Sequence, residues 1–340
     1  MTAPATCYKQ KRRPLTFFSA RVFFFVFAFF CLTLLLRNPD VAIDYMSRGL
    51  LLCAKTVIPS LFPFMVLSEL IVSGCAQSSG LSRLLSPLGR LFGLPPIGCC
   101  AVVLGMLCGF PVGAKCVCQA YDNGLLTRGE AERALAFSNN PSSAFLISAV
   151  GVSLWHNRRF GILLYAVVIV SAAISGILLN KLSKHDRDRT AKPPFYTSTV
   201  NRTGARLFTE AVSSAASSML LICAYVIFFS TLSGTLGIAL APLKLPQTAT
   251  AVLFGLLELS GGVSAASGLG NAMTGAVLCA FCVGWSGLSV HCQALSVCDG
   301  RGFSFRPYFF AKLFQGLLCA LLFGMLIKLF PSLLLSASGC

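Results

Sequence analysis

Charge is scarce in this sequence. Asp, Glu, Lys and Arg together make up 11% of the 340 residues, against 56% hydrophobic, where a soluble globular domain carries roughly 25% charged residues. Mean hydropathy is +0.79. That shortfall excludes a soluble fold and sets the class as membrane-embedded. Walker A, GxSxG, HExxH and Rossmann patterns are all missing. The expectation is therefore a protein that is not an enzyme, has no ATP engine of its own and needs no cofactor. Acidic residues are the scarcest charges, 11 against 27 basic, for a net charge of +16. The basic residues lie between apolar runs and not on a face interleaved with aromatics. That pattern argues against nucleic acid and matches the positive-inside rule. Cysteine is plentiful, at 16, but most of it (Cys31, Cys53, Cys108, Cys223, Cys319) sits inside apolar runs, where it acts as a small hydrophobe. The Cys279–Cys282 and Cys116–Cys118 pairs have His291 as their sole candidate co-ligand, so neither a metal site nor a disulfide framework is expected.

Long charge-poor runs fall at 16–36, 47–74, 97–120, 132–153, 160–181, 209–237, 248–268, 272–297 and 309–330. In the first, an apolar stretch from Val22 to Leu36 follows a basic cluster (Lys9, Lys11, Arg12, Arg13, Arg21). It is read as an uncleaved span, because Arg37-Asn38-Pro39-Asp40 offers no small-x-small cleavage site. Between 80 and 92, Leu81, Leu84, Leu85, Leu88, Leu91 and Phe92 recur at helical spacing with Arg83 and Arg90 off that face, which reads as a helix lying in the interface. Thr127 to Glu130 is a capping box that opens a helix at 128.

Charge then fixes the number of crossings. The N-terminus is basic, and so is the connector with Lys181, Lys184, Arg187, Arg189, Lys192, Arg202 and Arg206. Both belong on the cytoplasmic side. Five full crossings would put the connector outside, so one segment must enter and leave on the same side. Segment 97–120 is chosen, because Gly109-Phe110-Pro111-Val112-Gly113 interrupts it and each arm reaches only about half of a 30 Å core. In the second half, 248–268 is interrupted by Glu258 to Gly262. The fold class expected is an all-α polytopic membrane protein of two inverted pseudo-repeats, each span, re-entrant hairpin, broken span, span, plus an extra N-terminal span. The divisions are 1–40 for the basic N-terminus and first span, 41–181 for the first repeat, 182–206 for the connector and 207–340 for the second repeat. The broken spans carry Asn139-Asn140-Pro141 in one half and Gly284-Trp285-Ser286-Gly287 in the other. Paired interruptions of this kind point to a transporter binding site.

The chemistry at the breaks suits a small polar solute. Pro141 fits the first position of a half-helix and Asn140 its cap, so free N–H groups and the positive dipole end would face mid-membrane. Asn139, Ser142 and Ser143 add neutral hydrogen-bonding groups; a Pro kink satisfied by neighbouring helices is the plainer alternative. Gly109 and Gly113 permit a tight hairpin tip, Phe110 and Pro111 occupy it, and Lys115 follows just past it. Lys115 would bind an anionic substrate, pair with Glu69, or snorkel to the interface. Glu69 and Glu258 are carboxylates inside apolar runs, read as binding a coupling cation or proton or as neutralising Lys115 or Lys55. Ser289, His291 and Gln293 lie just past the second break and can hold a ring or carboxylate, or be satisfied within a helix interface. Lys312 and Lys328, near the ends of the last span, read as snorkelling anchors.

Several stretches together resemble the YlbJ-type sporulation integral membrane proteins. They are Ser60 to Phe64, Ser68 to Leu70, Gly109 to Lys115, Gly124 to Arg133, Phe137 to Pro141 and Gly287 to Gln293, and the resemblance covers roughly 45–325. That family carries a nucleoside-recognition Gate domain and is similar to concentrative nucleoside transporters. The resemblance implies movement of dipicolinate, a small aromatic dianion, across the outer forespore membrane of a spore-forming source. It departs from the family at Phe110, Ser138 and Ser142-Ser143, where Tyr, Cys and Gly-Pro are common. The expected function is a secondary transporter or facilitator of a small organic anion in a bacterial cell membrane. Its partners would be that anionic substrate and membrane lipid, with homo-oligomerisation left open. A nucleoside-type transporter and a non-transporting scaffold of spore-envelope assembly are the alternatives.

Overall fold

Pro39 sets the first corner of the chain. The residue before a proline is driven out of the α region, and Asn38 accordingly has φ −135° and ψ 61°. Helix α1 (Leu15–Arg37) therefore ends there, and α2 (Pro39–Leu52) leaves at 102° to it. The structure is a computed structural model that describes residues 15–75, 79–182 and 204–334. Among these residues there are helices and connections, and no strand. The basic residues 9–13 and most of the connector, including Lys184, Arg187, Arg189, Lys192 and Arg202, lie outside the described residues.

From α2 the helix continues through a π-wound turn (Cys53–Val57) into α3 (Ile58–Cys75). The span expected at 47 thus belongs to a helix that starts at 39. Hydropathy marks where the chain is apolar, not where it is helical. Asp44 and Arg48, 2.7 Å apart one turn from each other, support the polar first turns. Next comes α4 (Ser79–Phe92), which keeps Pro87 within it. Its Leu84–Phe92 portion stands at 90° to α5 (Pro96–Cys108), as an interfacial helix would beside a membrane-entering arm.

Helices α5 and α6 (Val112–Asp122) form the first hairpin. At 1.5 Å per residue the arms are about 20 and 16 Å long, short of a 30 Å hydrocarbon core. They meet glycine to glycine. A Cβ built on Gly105 would lie 2.7 Å from the Cα of Gly113, so these positions must lack side chains. The first broken span follows: α7 (Arg128–Ser138), an interruption at 139–142, and a helical continuation from 143 that is π-wound over Phe145–Leu154. The continuation is capped by the Ser142 hydroxyl, not by Asn140 as expected, since Pro141 stays in the non-helical stretch. Thr127 and Glu130 cap α7 reciprocally, with Thr127 N donating to the Glu130 carboxylate at 2.8 Å. Helix α8 (Arg158–Leu182) ends the first half.

In the second half a long helix, a hairpin, a broken helix and a closing helix follow one another. Helix α9 (Gly204–Leu240) leads into α10 (Gln247–Leu257) and α11 (Leu259–Ser267), a second hairpin that also closes on glycines, Gly255 against Gly262. A broken span follows as α12 (Ala272–Trp285) and α13 (Gly287–Val297), then the closing span α14 (Arg306–Leu329). By length and composition four helices can cross a membrane, α8, α9, α12 with α13, and α14, or up to six if each bent pair counts as one. Phe25, Leu220, Phe310 and Leu329 are 72–75% exposed. Such large apolar side chains on the outside fit contact with lipid, not water.

Segments that the charge count places on one side do meet at one end of the molecule. Arg301, before α14, holds Asp122, at the end of α6, at 2.5 Å. Ser304 N donates to Glu132 at 2.8 Å, and Arg128 donates to the carbonyl of Gly302. Arg133 reaches the carbonyl of Gly93 at 3.2 Å, and Asn180 that of Leu91 at 3.1 Å.

Candidate functional site

Four interruptions of helix converge. At the first hairpin tip Gly109 has φ +89°, and a Cβ there would meet the backbone N of Ser142 at 2.6 Å. Tip one is thus seated directly on break one. Cβ atoms on Gly105 and Gly113 would meet the carbonyl O of Ser138 at 2.1 and 2.3 Å, which extends the same seat down both arms. The second half does the equivalent with the roles exchanged. Ser286 and Gly287 turn the chain with φ 77° and 80°, and Gly287 lies against Glu258 and Leu259 at the second tip. Pro111 precedes α6 as its N-cap residue.

Between the tips and breaks lies a cavity of about 70 Å³, to which Phe110, Ser142, Glu258, Ser289 and Gln293 all contribute. Leu52, Val57 and Leu61 close it from one side and Ile222 and Val226 from another. The Ser289 hydroxyl and the Gln293 amide oxygen are buried and have no protein partner. Buried polar atoms left open in this way are costly, and both belong to side chains that line the cavity. Glu258 is 7% exposed, and its carboxylate accepts from Ser260 N at 2.9 Å and Gly261 N at 2.6 Å. It therefore caps its own helix, α11, and among the described residues it forms no ion pair with a lysine. No Lys or Arg lines the cavity.

Lys115 does not enter that lining. Its ammonium lies 2.9 Å from the Glu69 carboxylate, with the two side chains 16% and 17% exposed. At an effective dielectric of about 20 the attraction at that distance is of order 5 kcal/mol before desolvation. A solute carboxylate would have to displace Glu69 to gain Lys115. Lys55, the other suggested partner of Glu69 and Glu258, is exposed.

Behind break one lies a buried polar network that the sequence reading missed. Lys312 is 0% exposed and is no snorkelling anchor. Its ammonium donates to the Asn139 carbonyl at 2.8 Å, to Gln315 Oε1 at 2.9 Å and to Asn140 Oδ1 at 3.4 Å. Gln315 Nε2 donates to Asn140 Oδ1 at 2.8 Å, and Asn140 Nδ2 turns back to the Phe137 carbonyl at 2.8 Å. Asn139 Nδ2 donates to the Tyr308 hydroxyl at 3.1 Å, and that hydroxyl lies 3.1 Å from His291 Nδ1. Asn139, Asn140 and His291 are therefore held inside protein and are not cavity walls. Ser143 is half-buried and also stands outside the lining. A usable signal was present in the last span, where Tyr308, Lys312 and Gln315 follow at i, i+4 and i+7 on one helical face. Lys328, by contrast, is exposed, as an anchor would be.

Comparison with known proteins adds one relative. The chain is 26% identical over 334 residues to the sporulation integral membrane protein YlbJ of Bacillus subtilis (strain 168), an alignment covering 89% of this chain and 81% of that one. No protein-family model matches the chain, and no solved structure matches it. The motifs in both halves and a similarity running nearly end to end thus agree: this chain is a multi-pass membrane protein similar to YlbJ along most of its length.

Proposed function

We propose that the protein is a secondary transporter or facilitator of a small organic solute, with the solute held where the two hairpin tips and two span breaks converge. That convergence on one cavity is the observation that carries the reading. Broken helices that meet inside a membrane bundle supply backbone dipoles and side chains where lipid-facing helices cannot. The interruptions fall at matching positions of the two halves, which is why we read them as inverted repeats divided near the connector.

Dipicolinate is the first solute to test, on the strength of the YlbJ resemblance. In a spore-forming source it would place the protein in the outer forespore membrane. The lining sets a condition on this solute. It carries the Glu258 carboxylate and no Lys or Arg, so a dianion needs a co-bound proton or cation, or help from the ammonium of Lys312 behind the break. An uncharged ring solute of nucleoside type is the second reading. The hydroxyls of Ser142 and Ser289, the Gln293 amide and the single carboxylate favour it. The cavity, at about 70 Å³, falls well below the roughly 300 Å³ at which ligand pockets begin. A hairpin tip must move before either solute enters.

Uptake of labelled dipicolinate into proteoliposomes tests the reading, with unlabelled uridine as competitor. Saturable uptake that Gln293→Leu lowers at least tenfold and uridine leaves unchanged supports dipicolinate. Uptake of labelled uridine alone supports the second reading. No uptake of either by folded protein, under any ion or pH gradient, rejects transport in favour of a scaffold role.

A further inference from the structure

A buried lysine next to a broken helix has two ordinary explanations, an ion pair or a snorkelling end, and Lys312 fits neither. It is fully buried, and among the described residues it has no ion pair with a carboxylate. An isolated charge taken out of water is expensive unless dipoles replace its hydration. Here three neutral oxygens do so, at 2.8, 2.9 and 3.4 Å. They come from a backbone carbonyl at the C-terminal end of α7, an Asn amide one residue on, and the amide of Gln315, three residues along on α14 itself. The end of α7 also carries the negative pole of its helix dipole. Carbonyl and amide oxygens gathered at the C-terminal end of a half-helix are the ligand set with which transporters hold free monovalent cations.

We propose that this oxygen cage is a monovalent-cation site at break one, and that the ammonium of Lys312 is its resident cation, tethered from α14. The site then takes no free ion in the native protein. The cation that would otherwise hold break one together is supplied by the chain. Asn140 and Gln315 acquire a role as its side-chain ligands, and Asn139 lends its backbone carbonyl while its side chain holds Tyr308. For a transporter of the kind proposed above, order at break one then does not depend on sodium.

The experiment needs no solute. Lys312→Ala and Lys312→Met are purified in detergent and melted in choline, sodium, ammonium and methylammonium chloride at equal ionic strength. The wild type is expected to melt at one temperature in all four salts. Lys312→Ala is expected to melt lower in choline and to recover, saturably with concentration, in ammonium or methylammonium. Lys312→Met, whose side chain fills the space without charge, is expected to recover less. Two results overturn the proposal: a wild type stabilised by sodium over choline, or a folded Lys312→Ala that melts alike in all four salts. Should neither variant be obtained folded in choline, recovery of Lys312→Ala during purification in ammonium salt supports the site, and failure in every salt counts against it.

Discussion

Replacing Gln315 with Leu keeps the size of the side chain and removes two hydrogen bonds, one accepted from Lys312 and one donated to Asn140. A buried ammonium and a buried amide oxygen each lose a partner, at a cost of about 1–3 kcal/mol. The melting temperature of Gln315→Leu should fall accordingly, and that of Lys328→Ala, at an exposed position, should not. A wild-type melting curve for Gln315→Leu would mean that the network is held by packing alone. The same residues mark the limit of what the sequence discloses. The breaks were legible because Asn, Pro and Gly interrupt apolar runs. The depth of Lys312 was not read, since two of its three partners, Asn139 and Asn140, lie more than 170 residues earlier, and the local signal, Gln315 one turn on, was passed over. Local hydropathy sees a lysine near one end of an apolar stretch and returns the commonest explanation, an anchor. For Lys115 three roles were open, and its pairing with Glu69 is the one the structure shows. Local pattern could not choose among them, because Glu69 belongs to a different helix.

At the scale of elements, both hairpins depend on glycines that allow backbone to touch backbone. A Cβ on Gly262 would lie 2.1 Å from the Cα of Gly255, too close for any rotamer change to relieve. Gly262→Ala should force α10 and α11 apart. Amide exchange across 247–267 should then become faster, while exchange across 96–122 stays as in the wild type. Gly270, with nothing within 4 Å of its Cβ position, is the control that should change neither. Equal protection in Gly262→Ala and wild type would contradict the close packing of this hairpin. Both hairpins were legible from sequence for a related reason: apolar runs too short to cross twice, each with a break at its centre. Element ends were less legible. Helix α2 begins at Pro39 and not near 47 because its first turns are polar and still helical.

For the whole molecule, the sides on which the loops lie were argued from charge, while by length and composition the described helices offer four to six crossings. Arg301 meets Asp122 and Ser304 meets Glu132 at one end, while Lys244 sits in an exposed turn between α9 and α10. By the positive-inside count these two regions lie on opposite sides of the membrane. A membrane-impermeant thiol reagent applied to intact cells, with the wild type as background, should label Lys244→Cys and leave Asp299→Cys unlabelled until the membrane is opened. Labelling of both from outside would reverse the assignment of at least one hairpin. The central claim is that the four breaks form one solute site. It is tested most directly by a cryo-electron microscopy structure with dipicolinate, and another with uridine. Solute density is expected in contact with Phe110, Ser289 and Gln293, with at least one hairpin tip displaced to enlarge the cavity. Density for a transported solute at any other place in the molecule would contradict it.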